Sequence, residues 1–164
     1  MNLSQYKEVV YQIIGSAMTV HAELRYGLLE PVYQEALSWE LKQRGIPNKR
    51  EQEIEIYYKG HKLEKKYKMD ITVDDIVVEL KSVVQLLPAH RAQLCNYLRL
   101  THKPVGILIN FGGKDLIGER WAFDKDTNEC FLIDRHMNRV YCENYNKLLL
   151  HDCIDADDEL QNEI

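Results

Sequence analysis

Two adjoining segments, YKMDITV at residues 67–73 and IVVELKS at 76–82, constrain this chain more than any other stretch. In the second, Ile76, Val78 and Leu80 alternate with Val77, Glu79 and Lys81. Strand side chains point to opposite faces with period two, so Glu79 and Lys81 share one face and an apolar row takes the other. A turn at Asp74-Asp75 folds Asp70 back beside Glu79. Two carboxylates and an ammonium against a hydrophobic sheet are costly to desolvate without compensation. A divalent metal would compensate them, and two acids with a lysine are what metal-assisted phosphodiester hydrolysis needs. The bland alternative is a surface face on which Glu79 pairs with Lys81 and Asp70 begins a turn. The motif alone does not separate the two.

The flanking patterns supply a frame. Tyr6, Val9, Val10, Ile13, Ile14, Ala17, Val20, His21 and Leu24 recur at i, i+3, i+4 and i+7, which predicts an amphipathic helix over 3–25. A second helix buries Leu29, Val32, Tyr33, Ala36, Leu37 and Leu41, with Pro31 in its first turn and Gly45 and Pro47 as its stop. Residues 50–58 read as a strand that turns at Lys59-Gly60 into 61–67. Pro88 opens a helix over 88–101, and VGILINF at 105–111 is an apolar run suited to a strand covered on both faces. The order is α-α-β-β-β-β-α-β, and the helix between the Glu79 strand and the Val105 strand implies a crossover joining parallel neighbours. Residues 1–113 form the expected core. Residues 114–164 read as an extension: a hairpin around Asp126-Thr127-Asn128, a short helix in CENYNKLLLHD, and an acidic tail.

Bulk properties narrow the class. The 164 residues suit one domain, and 45% hydrophobic with 29% charged residues is ordinary for a soluble protein. No apolar run approaches the roughly 18 residues of a membrane span, and polar residues at helical spacing interrupt the N-terminus, so neither a membrane partner nor a signal peptide is expected. The expected compartment is the cytoplasm. Cys95, Cys130, Cys142 and Cys153 form no CxxC pair, which excludes zinc-ribbon and thioredoxin readings. A net charge of −5 argues against broad adhesion to nucleic acid, but five lysines fall between Lys59 and Lys68 and leave room for a local basic face. No Walker A loop, GxSxG elbow or HExxH is present.

Candidate residues follow. Asp70 and Glu79 would hold Mg²⁺, or Mn²⁺ in its place, with the Leu80 carbonyl as a further oxygen ligand. Lys81 would position the attacking water and stabilise developing charge. His90, Gln93 and Tyr97 form one stripe of the helix after the Glu79 strand. Gln93 could orient Lys81 or the water, and Tyr97 could contact a phosphate. His90 alone reads as an exposed polar residue; with Tyr33 and Arg91 it completes the set of substrate-contact candidates, while Arg99 and Lys103 are further phosphate candidates. A third acid could be Glu30 or Glu35, which lie about 140° apart around a helix and cannot point the same way. Glu30, one turn before Tyr33, is preferred, although an acid at a helix N-terminus also has a purely structural use.

The run Gly27-Leu28-Leu29-Glu30-Pro31-Val32-Tyr33 matches the pattern GxxExxY, and EALSWELKQRGI, YYKGHKL, MDITVDDIVVELKSV, HRAQLCNYL and VGILINFG follow in order. Over residues 5–113 the chain resembles the GxxExxY proteins, a branch of the PD-(D/E)XK nuclease-like superfamily. The resemblance implies a restriction-endonuclease-like α/β core, a mixed β-sheet flanked by helices with Mg²⁺ at one end. It assigns Asp70 to the PD aspartate, with Met69 where proline often stands, and Glu79 and Lys81 to the ExK pair. Gln93 and Tyr97 fit the QxxxY element of RecB-type nucleases. Some of those relatives carry a four-cysteine iron–sulfur cluster, but the cysteine spacing here does not suit one. The implied activity is a metal-dependent nuclease acting on nucleic acid, with DNA the expected substrate. The rival is a nuclease fold kept as a binding or regulatory module, or active only with a protein partner or as a homo-oligomer.

Overall fold

A computed structural model describes residues 1–141. After a single 3₁₀ turn at Ser4–Tyr6, helix α1 spans Lys7–Leu24 and α2 spans Glu30–Gln43. The periodicity marks most of their buried stripes: Val10, Ile13, Ala17 and Val20 on α1, and Tyr33, Leu37 and Leu41 on α2, are buried. Leu29 and Val32, expected on the same stripe, are exposed, Leu29 because it precedes the helix as its N-cap. Helix α2 stops where Gly45 takes φ 76°, letting the Gly45 and Ile46 amides cap the carbonyls of Lys42 and Leu41.

Strands follow at Lys49–Ile54 (β1), Tyr57–Tyr58 (β2), His61–Lys62 (β3), Tyr67–Val73 (β4) and Ile76–Lys81 (β5), then helix α3 at Pro88–Thr101. Strands β6 (Val105–Asn110), β7 (Ile117–Asp124) and β8 (Glu129–Ile133) complete the described chain. Among the described residues one mixed sheet has six strands in the order β1-β4-β5-β6-β7-β8, with β5 and β6 parallel and the other pairs antiparallel. Helices α1 and α2 cover one face, on Ile71, Val73, Ile76, Val78, Leu80, Ile107 and Ile109. Helix α3 covers the other, on Val77, Leu108, Trp121 and Phe123. This is the α/β architecture expected from the sequence, a mixed sheet flanked by helices, and β6 is buried along its whole length between the two layers.

One segment departs from expectation. The long 50–58/61–67 hairpin is replaced by a break after Ile54. Strand β1 pairs with β4, while β2 and β3 make a two-residue ribbon of their own around Lys59 and Gly60, at φ 49° and 77°. The reason is burial. Only Ile54 of β1 is buried, and residues 64–66 are consecutive charges with no apolar face to hold a longer ladder. The hairpin expected around Asp126-Thr127-Asn128 is β7–β8, and it continues the sheet directly from β6. The short helix and acidic tail expected beyond it lie outside the described residues.

Candidate active site

Strands β4 and β5 pair only from Val73↔Ile76 to Ile71↔Val78 and then part. Alternation of the ladder would next give the Leu80 N–H to the carbonyl of residue 69. Instead Asp70 Oδ2 accepts it, at 2.8 Å. The Lys81 carbonyl accepts the N–H of Phe111, the residue after β6. Consecutive residues of a strand send their amides to opposite edges, so the Leu80 carbonyl leaves toward the gap beside Asp70. Side-chain alternation also fails here. Met69 joins the core under α3 and Ile71 the core under α1 and α2, although residues two apart normally share a face. The chain turns over at Asp70, which lets its carboxylate lie between the strands.

Glu79 and Lys81 share the α3-facing side. Lys81 Nζ donates to Glu79 Oε1 at 3.3 Å, and both side chains are nearly buried. Glu79 Oε2 is buried with no hydrogen-bond partner among the described residues. Burial first, and then the neighbouring Asp70 carboxylate, push the Glu79 carboxyl up to about 8 against the pull of Lys81. Burial likewise raises Asp70, partly offset by the Leu80 amide.

Helix α2 enters from the end of the sheet. Gly27, at φ 98°, turns the loop before it. The Tyr33 hydroxyl reaches back to donate to the Arg25 carbonyl (2.6 Å) and accept the Leu28 amide (3.2 Å), and its ring stacks on Phe111 at 4.6 Å. Ser82, just after β5, donates to the Leu28 carbonyl at 2.7 Å, tying this loop to the strand that carries Glu79. Glu30 is thereby presented to the site: burial raises its carboxyl, with Lys81, Asp70 and Glu51 as its charged neighbours. Glu35 points elsewhere, exposed in an outer groove with Val32, Trp39, Lys42 and Arg50.

Two residues that sequence reasoning missed join the acids. Gln34 is buried and donates from Nε2 to Glu51 Oε1 (2.6 Å) and to Asp70 Oδ1 (3.2 Å), while its Oε1 accepts Arg50 Nε. Glu51 sits at φ 54° opposite the break in β4. A signal for Gln34 existed: it falls one turn after Glu30, on the buried stripe of Leu37 and Leu41.

On α3, Gln93 Nε2 donates to the Tyr97 hydroxyl at 2.8 Å. Burial, with Glu79 and Asp70 nearby, raises the Tyr97 phenol. His90 spends Nδ1 on the Leu87 amide at the start of the helix, and its pKa is lowered by burial and then by Lys81. Arg91 is buried in a paired contact with Glu119, which also accepts Trp121 Nε1. Lys103 holds the Asp74 carbonyl at the far end of the sheet, and Arg99 is on the surface with Asn96.

A partnerless carboxylate oxygen beside a second carboxylate is the demand that a hard cation satisfies. Among the described residues no three His, Cys, Asp or Glu side chains form a metal cluster. Two carboxylates, a strand carbonyl and water suffice for Mg²⁺, which usually keeps several waters. Asp70, Glu79 and the Leu80 carbonyl are thus the oxygen donors here that could hold a divalent cation.

The family model of the PD-(D/E)XK nuclease superfamily matches residues 7–120. The chain belongs to the PD-(D/E)XK nuclease superfamily. The match takes in α1, α2, α3, the sheet through the first half of β7, and every acid of the site. No curated protein sequence matches the chain. Among solved structures it is similar to the crystal structure of SSO0001, with 25% identity and a TM-score of 0.47 over 59% of this chain, and it spans about half (52%) of that protein. Among the described residues no helix is long and apolar enough to cross a membrane.

Proposed function

We infer that this PD-(D/E)XK protein is a Mg²⁺-dependent nuclease, with Mn²⁺ able to substitute, that hydrolyses phosphodiester bonds in nucleic acid, DNA foremost. Within the superfamily we group it with the GxxExxY proteins, whose motif spans Gly27 to Tyr33 here, and its setting is the cytoplasm. The observation that carries the reading is Glu79: a buried carboxylate with one oxygen on Lys81, the other without a partner among the described residues, and Asp70 alongside.

Asp70, Glu79 and the Leu80 carbonyl would hold the cation, which when bound supplies Lewis acidity toward the phosphodiester and a lowered pKa for an attacking water. The chain's own residues do the rest. Lys81, fixed by Glu79 Oε1, presents an ammonium to phosphate oxygens, where charge grows as the phosphorane forms. Tyr97, oriented by Gln93, offers its hydroxyl to a phosphate. Glu30, whose raised carboxyl holds a proton at higher pH than usual, is a third acid at the edge of the site. Gln34 keeps Asp70 and Glu51 apart in fixed positions. Tyr33 acts through the loop it braces rather than by touching substrate.

The test is direct. Wild type with Mn²⁺ should cleave at least one of single-stranded, duplex or branched DNA, or RNA. Lys81→Ala should abolish cleavage while calorimetric metal binding persists, and Asp70→Ala should abolish both. Metal binding unchanged in Asp70→Ala would overturn the ligand assignment. A wild type inert toward every substrate would leave a binding module on a nuclease fold.

A further inference from the structure

The ribbon that leaves the sheet between β1 and β4 presents its aromatic rings to water. Tyr57 and Tyr58 of β2 are 59% and 61% exposed, and His61 and Lys62 of β3 are exposed too. Successive strand residues project to opposite sides, so one ring lies on each side of the ribbon. Rings so placed contribute little to folding, and a ribbon this short is marginal by itself. Its charge also sets it apart. Between Glu53 and Lys68 five lysines meet three glutamates, in a chain whose net charge is −5. Lys62 and Lys66 are held by Glu55 and Glu53, at 2.7 and 3.0 Å. Lys59 lies 5.5 Å from the Tyr58 ring centroid, and among the described residues Lys65 and Lys68 have no carboxylate partner.

The ribbon is continuous with the acids. Strands β1 and β4 meet at Ile54 and Tyr67, at the end of the sheet to which β5 brings Glu79 and Lys81. Tyr67 is 41% exposed, and its ring centroid is 5.8 Å from that of Tyr97. Tyr97 in turn has Glu79 and Asp70 as its charged neighbours. Tyr67 and Tyr97 therefore place two rings between the base of the ribbon and the acids.

We propose that residues 55–68 form a strand-guiding arm that holds single-stranded nucleic acid, with bases stacked on Tyr57 and Tyr58 and phosphates on Lys59, Lys65 and Lys68. It leads the strand past Tyr67 to Asp70 and Glu79. The proposal rests on the nuclease reading of that site and adds its substrate class, an unpaired strand. Stacking on a side-chain ring needs a free base face, which a duplex hides within its own stack. A ribbon that reads duplex enters the major groove with hydrogen-bonding side chains, not with two tyrosine rings facing opposite ways.

The experiment is fluorescence anisotropy with the full-length protein in EDTA, which keeps the probe intact. The probes are a short labelled oligodeoxynucleotide, its ribonucleotide counterpart and the corresponding DNA duplex. The wild type should prefer a single strand to the duplex. Tyr57→Ala/Tyr58→Ala should weaken single-strand binding about tenfold or more, the scale of one or two stacked bases. Replacing Lys59, Lys65 and Lys68 by Gln should flatten the dependence of log Kd on log salt by about 2, as expected for three phosphates on a single strand. All five side chains are on the surface, and circular dichroism checks that the variants fold. Variants within twofold of wild type overturn the arm, and a duplex bound equally through the same tyrosines overturns the substrate class. Strands bound through the arm but never cleaved with Mn²⁺ refute the nuclease reading and keep the arm. Cleavage and binding both unchanged in the tyrosine variant refute the arm alone.

Discussion

Replacing Glu79 by Gln should stabilise the metal-free protein at alkaline pH, and the gain should vanish in acid. Glu79 is 2% exposed and its carboxyl is pushed from an ordinary 4.5 to about 8. Below the ordinary value the group is protonated in folded and unfolded chains alike, and its burial carries no ionic penalty. Between the two values the unfolded chain has lost the proton that the folded chain keeps, so stability falls as pH rises. Above about 8 both are ionised and the full penalty stands. At about 1.4 kcal/mol per tenfold change in proton affinity, that penalty is on the order of 5 kcal/mol. Gln presents a neutral group of the same shape and escapes it. Urea unfolding in EDTA, read by the fluorescence of buried Trp121, should show wild type losing ground to Glu79→Gln steadily from about pH 5 to about pH 9. Comparing the two proteins largely removes the contributions of Asp70 and Glu30, which both carry. Saturating Mn²⁺ at the alkaline end should restore roughly 3 kcal/mol to wild type at a hundredfold excess over Kd, and little to the variant. A gap that stays constant with pH would refute the reasoning, because the acid would then be solvated in the folded state.

Three further outcomes follow from the same geometry. Gln34→Ala frees Asp70 Oδ1 and Glu51 together and should weaken Mn²⁺ binding by about 10–100-fold in calorimetry, as loss of a residue behind a ligand commonly does. Tyr33→Phe deletes both loop hydrogen bonds and should lower unfolding free energy by about 1–3 kcal/mol in urea, while leaving the stack on Phe111. Gly112→Ala would put a Cβ 2.1 Å from the Val83 carbonyl oxygen, a collision with backbone. It should cost about 1–3 kcal/mol by the same assay, more if the Val83 loop cannot shift.

What could be read from the sequence follows from the range of the physics involved. Periodicity is local, so the buried stripes of α1 and α2, the apolar β6 run and the tight turn at Asp74-Asp75 are all visible in a short window. Glu79 and Lys81 share a face because strand geometry alone requires it. The partners of Asp70 are another matter. Gln34 and Glu51 reach it only through the crossing of α2 over the sheet and the register of β1 on β4, neither of which a window records. The period-two alternation of a strand breaks between Met69 and Ile71, where the chain turns over at Asp70. Arg91 illustrates the same limit. Its charge suggested a surface role, but it is buried against Glu119 of β7, a partner that only the packing of α3 on the sheet brings to it.

The hydrogen bond from the Leu80 amide to Asp70 sets stability and chemistry in competition. If β4 and β5 zipped one pair further, backbone would satisfy backbone and an apolar side chain at position 70 would join the core. Selection for a sturdier sheet thus pulls against the gap that the acids occupy. Stabilised variants of this protein should therefore be screened for activity first at the β4–β5 fork, where a better-paired sheet is a closed site.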